Sequence, residues 1–122
     1  MNDVALRRIW LCADDYGLAD GVNRAIRDLI CRGRLNATSV MVVGAAIGRA
    51  EVAALQDVAA NSPRCAIGLH ATLTAPFRPL TMHFRPLNGG LFLPFPAMLR
   101  LGLLRRLDSG LIEDELAAQL AA

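Results

Sequence analysis

Strand-like and helix-like segments alternate through residues 8–70, and this β-α-β-α-β order constrains the fold more than any other feature of the chain. Residues 8–13 contain the short apolar run Ile9-Trp10-Leu11 and read as a buried strand, broken by Asp14, Asp15, Tyr16 and Gly17. Val22, Ala25, Ile26, Leu29 and Ile30 then recur at helical spacing, which puts Asn23, Arg24, Arg27 and Asp28 on the other face. Asp20 supplies an N-cap and Gly33 a C-terminal stop. Residues 38–43 are β-branched and apolar, a second strand ended by Gly44. Residues 46–60 read as a second helix, stopped by Asn61, Ser62 and Pro63. Residues 65–69 form a third strand with His70 directly at its end. Strands joined by crossover helices make a parallel sheet, so the class is α/β.

The rhythm changes after His70. Residues 75–96 hold five of the six prolines and the pair Gly89-Gly90, an irregular loop of a length that tends to serve function. Residues 97–107 read as a short helix. Asp108 caps a last helix whose apolar face includes Leu111, Ile112, Leu116 and Leu120, and that helix runs to Ala122 without a stop signal. A chain of 122 residues is one domain by length, and the missing stop points to an incomplete N-terminal part of a larger catalytic domain.

Charge and cysteine content narrow the function classes. The net charge is +2, and no basic run is interleaved with aromatics, so nothing here calls for nucleic acid. All 13 cationic residues are arginine. Cys12, Cys31 and Cys65 form no C-x-x-C pair and suit a reducing compartment, with Cys12 and Cys65, in apolar strand-like runs, reading as small core residues. No signal-peptide pattern opens the chain, and no apolar stretch reaches the roughly 18 residues a membrane span needs. The expected location is the cytoplasm.

Ligands of parallel α/β sheets bind at the carboxyl ends of the strands. Asp14-Asp15 and His70 lie there, with Thr38-Ser39 at the start of the second strand or inside it. The acidic pair has three readings: a solvated turn, a divalent-cation site, or one ligand beside one proton acceptor. His70 adds a nitrogen donor, and an Asp/His set suits Zn²⁺ while admitting Mg²⁺ or Mn²⁺. Two ligands fall short of the three protein ligands of a catalytic zinc site. His83, between Met82 and Phe84, reads as a loop residue. A phosphoacceptor receiver domain would also begin with an acidic pair, but it needs an Asp at the third strand and a later Lys. Here the third strand ends in His70 and the chain has no Lys. Dinucleotide, Walker A and nucleophile-elbow motifs are absent.

Four segments together resemble the YdjC-like carbohydrate deacetylases, which include chitooligosaccharide deacetylases and a hopanoid-biosynthesis branch. They are Leu11-Cys12-Ala13-Asp14-Asp15-Tyr16-Gly17-Leu18, Gly21-Val22-Asn23-Arg24-Ala25-Ile26, Ala37-Thr38-Ser39-Val40-Met41-Val42 and Ile67-Gly68-Leu69-His70-Ala71-Thr72-Leu73-Thr74. The resemblance covers nearly the whole chain. It implies the N-terminal part of a variant (β/α) barrel and a bacterial hydrolase that removes acetyl from N-acetylated mono- or oligosaccharides. By the same resemblance Asp14 is the catalytic base, Asp15 and His70 hold a divalent metal (Zn or Mg), and Asn23, Thr38 and Ser39 shape the substrate site. Two departures stand out. Val43-Gly44 replaces a position where the family often has Asn, and the third metal ligand is expected beyond Ala122. Open sheet edges would favour homo-oligomers. The alternative is a non-catalytic α/β module that binds a sugar or a protein.

Overall fold

The computed structural model describes residues 7–122. Three parallel strands, β1 (Cys12–Tyr16), β2 (Ala37–Val40) and β3 (Ala66–Leu69), lie side by side in chain order. Helices α1 (Asp20–Cys31) and α2 (Arg49–Ala60) make the two crossovers. The pairing is Cys12 with Ala37 and Ala13 with Thr38, and then Ala37 with Ala66 through Val40 with Leu69. The expected mixed α/β architecture is therefore present. No helix among the described residues is long and apolar enough to cross a membrane.

The first core lies between one face of the sheet and the two helices. Tyr16, Ile26, Ile30 and Leu55 are buried there, backed by Ala13, Val22, Val40, Ile47 and Val58. Burying a side chain the size of Ile30 contributes roughly 1.5–3 kcal/mol. Helix α1 ends as expected at Gly33, whose φ of 64° lets its N–H bond Ile30 O at 2.9 Å while Arg34 N–H bonds Leu29 O at 2.8 Å. At the start, Ala19 rather than Asp20 is the cap residue, and Asp20 sits in the first turn beside the positive helix end.

Several boundaries differ from expectation for physical reasons. The first strand is Cys12–Tyr16, not residues 8–13, because β2 pairs with the acidic segment itself across an irregularity between Ala13 and Tyr16. Ile9, Trp10 and Leu11 are 52–70% exposed rather than buried. The stretch is held instead by Asn36, which accepts from Leu11 N–H at 2.7 Å and donates to Ile9 O at 3.0 Å. Asn23, assigned by periodicity to the polar face of α1, is fully buried, whereas Leu29 is 39% exposed. Strand β2 stops at Val40, since Met41 N–H turns to Tyr16 O at 2.7 Å and a tight segment leads into α2.

The proline-rich segment is not wholly irregular. Strands β4 (Leu87–Asn88) and β5 (Leu91–Phe92) form an antiparallel hairpin turning at Gly89-Gly90. It joins α3 (Phe95–Leu103) and α4 (Ser109–Ala121) around a second core of Phe84, Phe92 and Met98. The Phe84 and Phe92 rings meet edge to face at 5.0 Å, a contact worth about 0.5–1.5 kcal/mol beyond its area. Asp108 caps α4 as expected, accepting from Gly110 and Leu111 N–H. The buried side of α4 is polar, however: Glu115 is 0% and Gln119 1% exposed, while Leu120 is 75% exposed. Glu115 accepts from Leu80 N–H, Thr81 N–H and the Thr81 hydroxyl, and Gln119 brackets both backbone groups of Thr72. The loop after β3 needs these partners, and they outweigh the apolar periodicity.

Candidate active site

Side chains of a strand alternate between faces. Ala13 packs toward the helices, so Cys12 and Asp14 emerge on the opposite, exposed face of β1. Ser39 of β2 and His70, immediately after β3, meet them there. Ser39 Oγ donates to Asp14 Oδ1 at 2.7 Å and lies 3.2 Å from His70 Nδ1. His70 is fixed by its own N–H, which extends the ladder to Val40 O at 2.9 Å, and by Thr72 Oγ1, which donates to His70 O at 3.0 Å.

Asp15 belongs to the irregularity in β1. Its φ of 70° lies in the left-handed region, which turns its carboxylate out of the strand alternation and toward His70. Asp15 Oδ1 and His70 Nδ1 are 3.4 Å apart. Two ligands bonded at about 2.0–2.1 Å to a tetrahedral cation stand roughly 3.3 Å apart, so this pair fits one divalent ion. Among the described residues, no group of three or more His, Cys, Asp or Glu side chains is arranged to hold a metal ion. His83 pairs with Asp114 at 3.1 Å on an exposed surface of loop and α4.

The Ser39 hydroxyl bond holds the Asp14 pKa below its ordinary value against the opposing effect of desolvation, with Cys12 and the His70 charge adding to the lowering. Asp14 is therefore ionised throughout the neutral range and stands as a proton acceptor. The Cys12 thiol lies 3.7 Å from Asp14 Oδ1, and desolvation and the nearby carboxylate raise its pKa, so it stays protonated.

The other sequence-named residues stand behind this surface. Thr38 is 1% exposed, and its hydroxyl donates to Ala13 O at 2.8 Å on the neighbouring strand. Asn23 accepts from Gly17 N–H at 2.6 Å and donates to Ala46 O at 2.9 Å, tying the loop after β1 to the loop after β2. Those loops touch closely. A Cβ on Gly17, whose φ is 102°, would lie 2.7 Å from Met41 O, and a Cβ on Gly44 would collide with Gly17 O. The glycine at 44 is thus a packing requirement of this chain. Cys12, expected in the core, is instead exposed, because strand alternation places it on the same face as Asp14. Glu51, which joins the network behind Asp15, carries no sequence signal at all.

The protein family described as YdjC-like protein matches residues 8–122. Among solved structures, the chain is similar to a crystal structure of a proposed cellobiose-phosphate cleavage protein from Enterococcus faecalis V583. The identity is 21% and the TM-score 0.66, over 90% of this chain and 41% of that one. At that identity the likeness establishes the fold. The chain spans less than half the length of that structure. No curated protein matches it significantly.

Proposed function

We propose that this chain, which belongs to the YdjC-like protein family, carries the first part of a metal-dependent hydrolase site that removes acetyl groups from N-acetylated mono- or oligosaccharides. The observation that carries the reading is the convergence of Asp14, Asp15, Ser39 and His70 at three adjacent parallel strands, with Asp15 Oδ1 and His70 Nδ1 3.4 Å apart. Asp15 and His70 would hold the cation. A Zn²⁺ or Mg²⁺ ion held there supplies Lewis acidity toward the amide carbonyl. Asp14 lies on the same face and takes the proton of the attacking water. Ser39 donates its single hydroxyl proton to Asp14 and so keeps that carboxylate oriented beside His70. Cleavage of the amide C–N bond then yields acetate and the free amine, which carries the transferred proton. Thr38 and Asn23 act through the backbone they brace.

One observation favours a second reading. Only two cation ligands converge among the described residues, which suits a non-catalytic module that binds a sugar or a protein. Acetate release from N,N′-diacetylchitobiose in the presence of Zn²⁺ separates the two. Release that disappears in Asp14→Ala supports the hydrolase. Release that is equal in Asp14→Ala, or saturable retention on the sugar without any release, overturns it.

A further inference from the structure

We infer that Glu51 of α2 is a positioning residue for the Asp15 carboxylate, acting through Tyr16, Asn23 and Arg27. The inference rests on the reading of Asp15 as a cation ligand and extends it to a residue outside the site. Asp15 sits at φ 70°, a region uncommon for L residues though more open to Asp than to most, and its neighbours hold it there. The residues that hold it follow directly in the chain. Tyr16 is fully buried, and its carbonyl accepts Met41 N–H at 2.7 Å. Its hydroxyl accepts from Arg27 Nη1 at 2.6 Å and donates to Glu51 Oε2 at 3.0 Å. Gly17 N–H donates to Asn23 Oδ1, and Gly17 O accepts from Ala46 N–H at 2.9 Å.

Glu51 Oε2 is where these strands of the network meet. It accepts from Tyr16, from Asn23 Nδ2 at 3.2 Å and from Arg27, with which it forms an ion pair. Without that carboxylate, the Tyr16 hydroxyl keeps only Glu51 O as acceptor, also at 3.0 Å, Asn23 Nδ2 keeps only Ala46 O, and the Arg27 charge, whose side chain is 18% exposed, is left uncompensated. The turn through Tyr16 and Gly17 then loses the bonds that hold Asp15 in its left-handed conformation. A carboxylate that drifts from His70 binds a shared cation less well. Among the described residues the Glu51 side chain forms its hydrogen bonds and ion pair with Tyr16, Asn23 and Arg27, none with Asp15 or His70, so its effect travels through the backbone.

The test compares Glu51→Gln, Tyr16→Phe and Ile30→Val with the unmodified chain, reading Co²⁺ affinity, amide exchange and the melting midpoint. Ile30→Val loosens the same core without touching the network. The expected result is a loss of Co²⁺ affinity of about tenfold in Glu51→Gln, with faster exchange confined to Gly17 and Met41. Tyr16→Phe, which keeps the ring and removes only the hydroxyl, gives a smaller loss in the same direction and serves if Glu51→Gln fails to fold. Ile30→Val lowers the midpoint and leaves affinity and those two amides unchanged. The inference is overturned if Glu51→Gln and Tyr16→Phe bind Co²⁺ like the unmodified chain, or if Ile30→Val weakens binding equally. Should the unmodified chain bind no Co²⁺, the reading of Asp15 as a ligand fails. Exchange at Gly17 and Met41 then decides the positioning role by itself: selective loss of protection upholds it, and uniform or unchanged exchange overturns it.

Discussion

Replacing Glu115 by glutamine isolates the polar clamp that joins α4 to the loop after β3. The carboxylate receives four donors: Leu80 N–H and Gln119 Nε2 on Oε1 at 2.9 Å each, and Thr81 N–H and Oγ1 on Oε2 at 2.9 and 2.7 Å. A glutamine offers one oxygen and one NH₂, so on one side a donor must face donors. The less costly orientation points the NH₂ at Thr81, whose hydroxyl can rotate to accept, and leaves Thr81 N–H without a partner. An unsatisfied buried donor costs about 1–3 kcal/mol, and the bonds on the other side lose charge assistance worth about 1 kcal/mol. The expected destabilisation is therefore about 2–4 kcal/mol, read by urea unfolding at neutral pH. A loss below about 0.5 kcal/mol would refute the clamp, since surface substitutions fall in that range. The pH dependence has a definite sign. Burial acts to raise the Glu115 pKa, but the bonds from Gln119, Leu80 and Thr81 more than offset it, and the net shift is downward. A carboxyl whose folded pKa is depressed contributes stability above its unfolded pKa and loses it as pH falls through the folded one. The gap between the unmodified chain and Glu115→Gln should thus close in acid.

Ser39→Ala removes the bond that does most to depress the Asp14 pKa. The acid limb of any Asp14-dependent activity then moves to higher pH, and an unmoved limb would show that Asp14 does not set it. Gly17→Ala must place a Cβ 2.7 Å from Met41 O at φ 102°, a strain costing about 1–3 kcal/mol in a melting experiment; an unchanged midpoint would contradict the close approach of the two loops. Strand β3 ends the three-stranded sheet with an open edge on which Ile67 is 44% exposed. We expect concentration-dependent self-association in sedimentation that weakens in Ile67→Lys; a chain that stays monomeric at all concentrations would count against it.

The parts of this fold that were legible were those written in apolar periodicity and strand ends. The alternation through residue 70, the stop at Gly33 and the cap at Asp108 all appear. Asp14, Asp15 and His70 stand out in the sequence because parallel strands deliver their carboxyl ends to one edge, and in the structure Ser39 links Asp14 to His70 while Asp15 lies 3.4 Å from His70. The buried polar residues were not legible. Asn23, Glu115 and Gln119 occupy helix positions that a count of apolar residues assigns to solvent, and each has a backbone partner in a loop remote in sequence: Ala46, Leu80 and Thr72. Ile9, Trp10 and Leu11 mislead in the opposite sense: the run looks like a core strand but is mostly exposed. The hairpin at residues 87–92 was hidden because prolines flank it and each strand has only two residues.

The most direct test is a calorimetric titration of the metal-stripped chain with Zn²⁺ and Mg²⁺, run beside Asp15→Ala and His70→Ala. One-site binding that is lost in both variants is the predicted result, because the two donor atoms stand at the separation expected for ligands of one cation. Binding that survives both substitutions would contradict the assignment and send the search for the cation elsewhere in the chain.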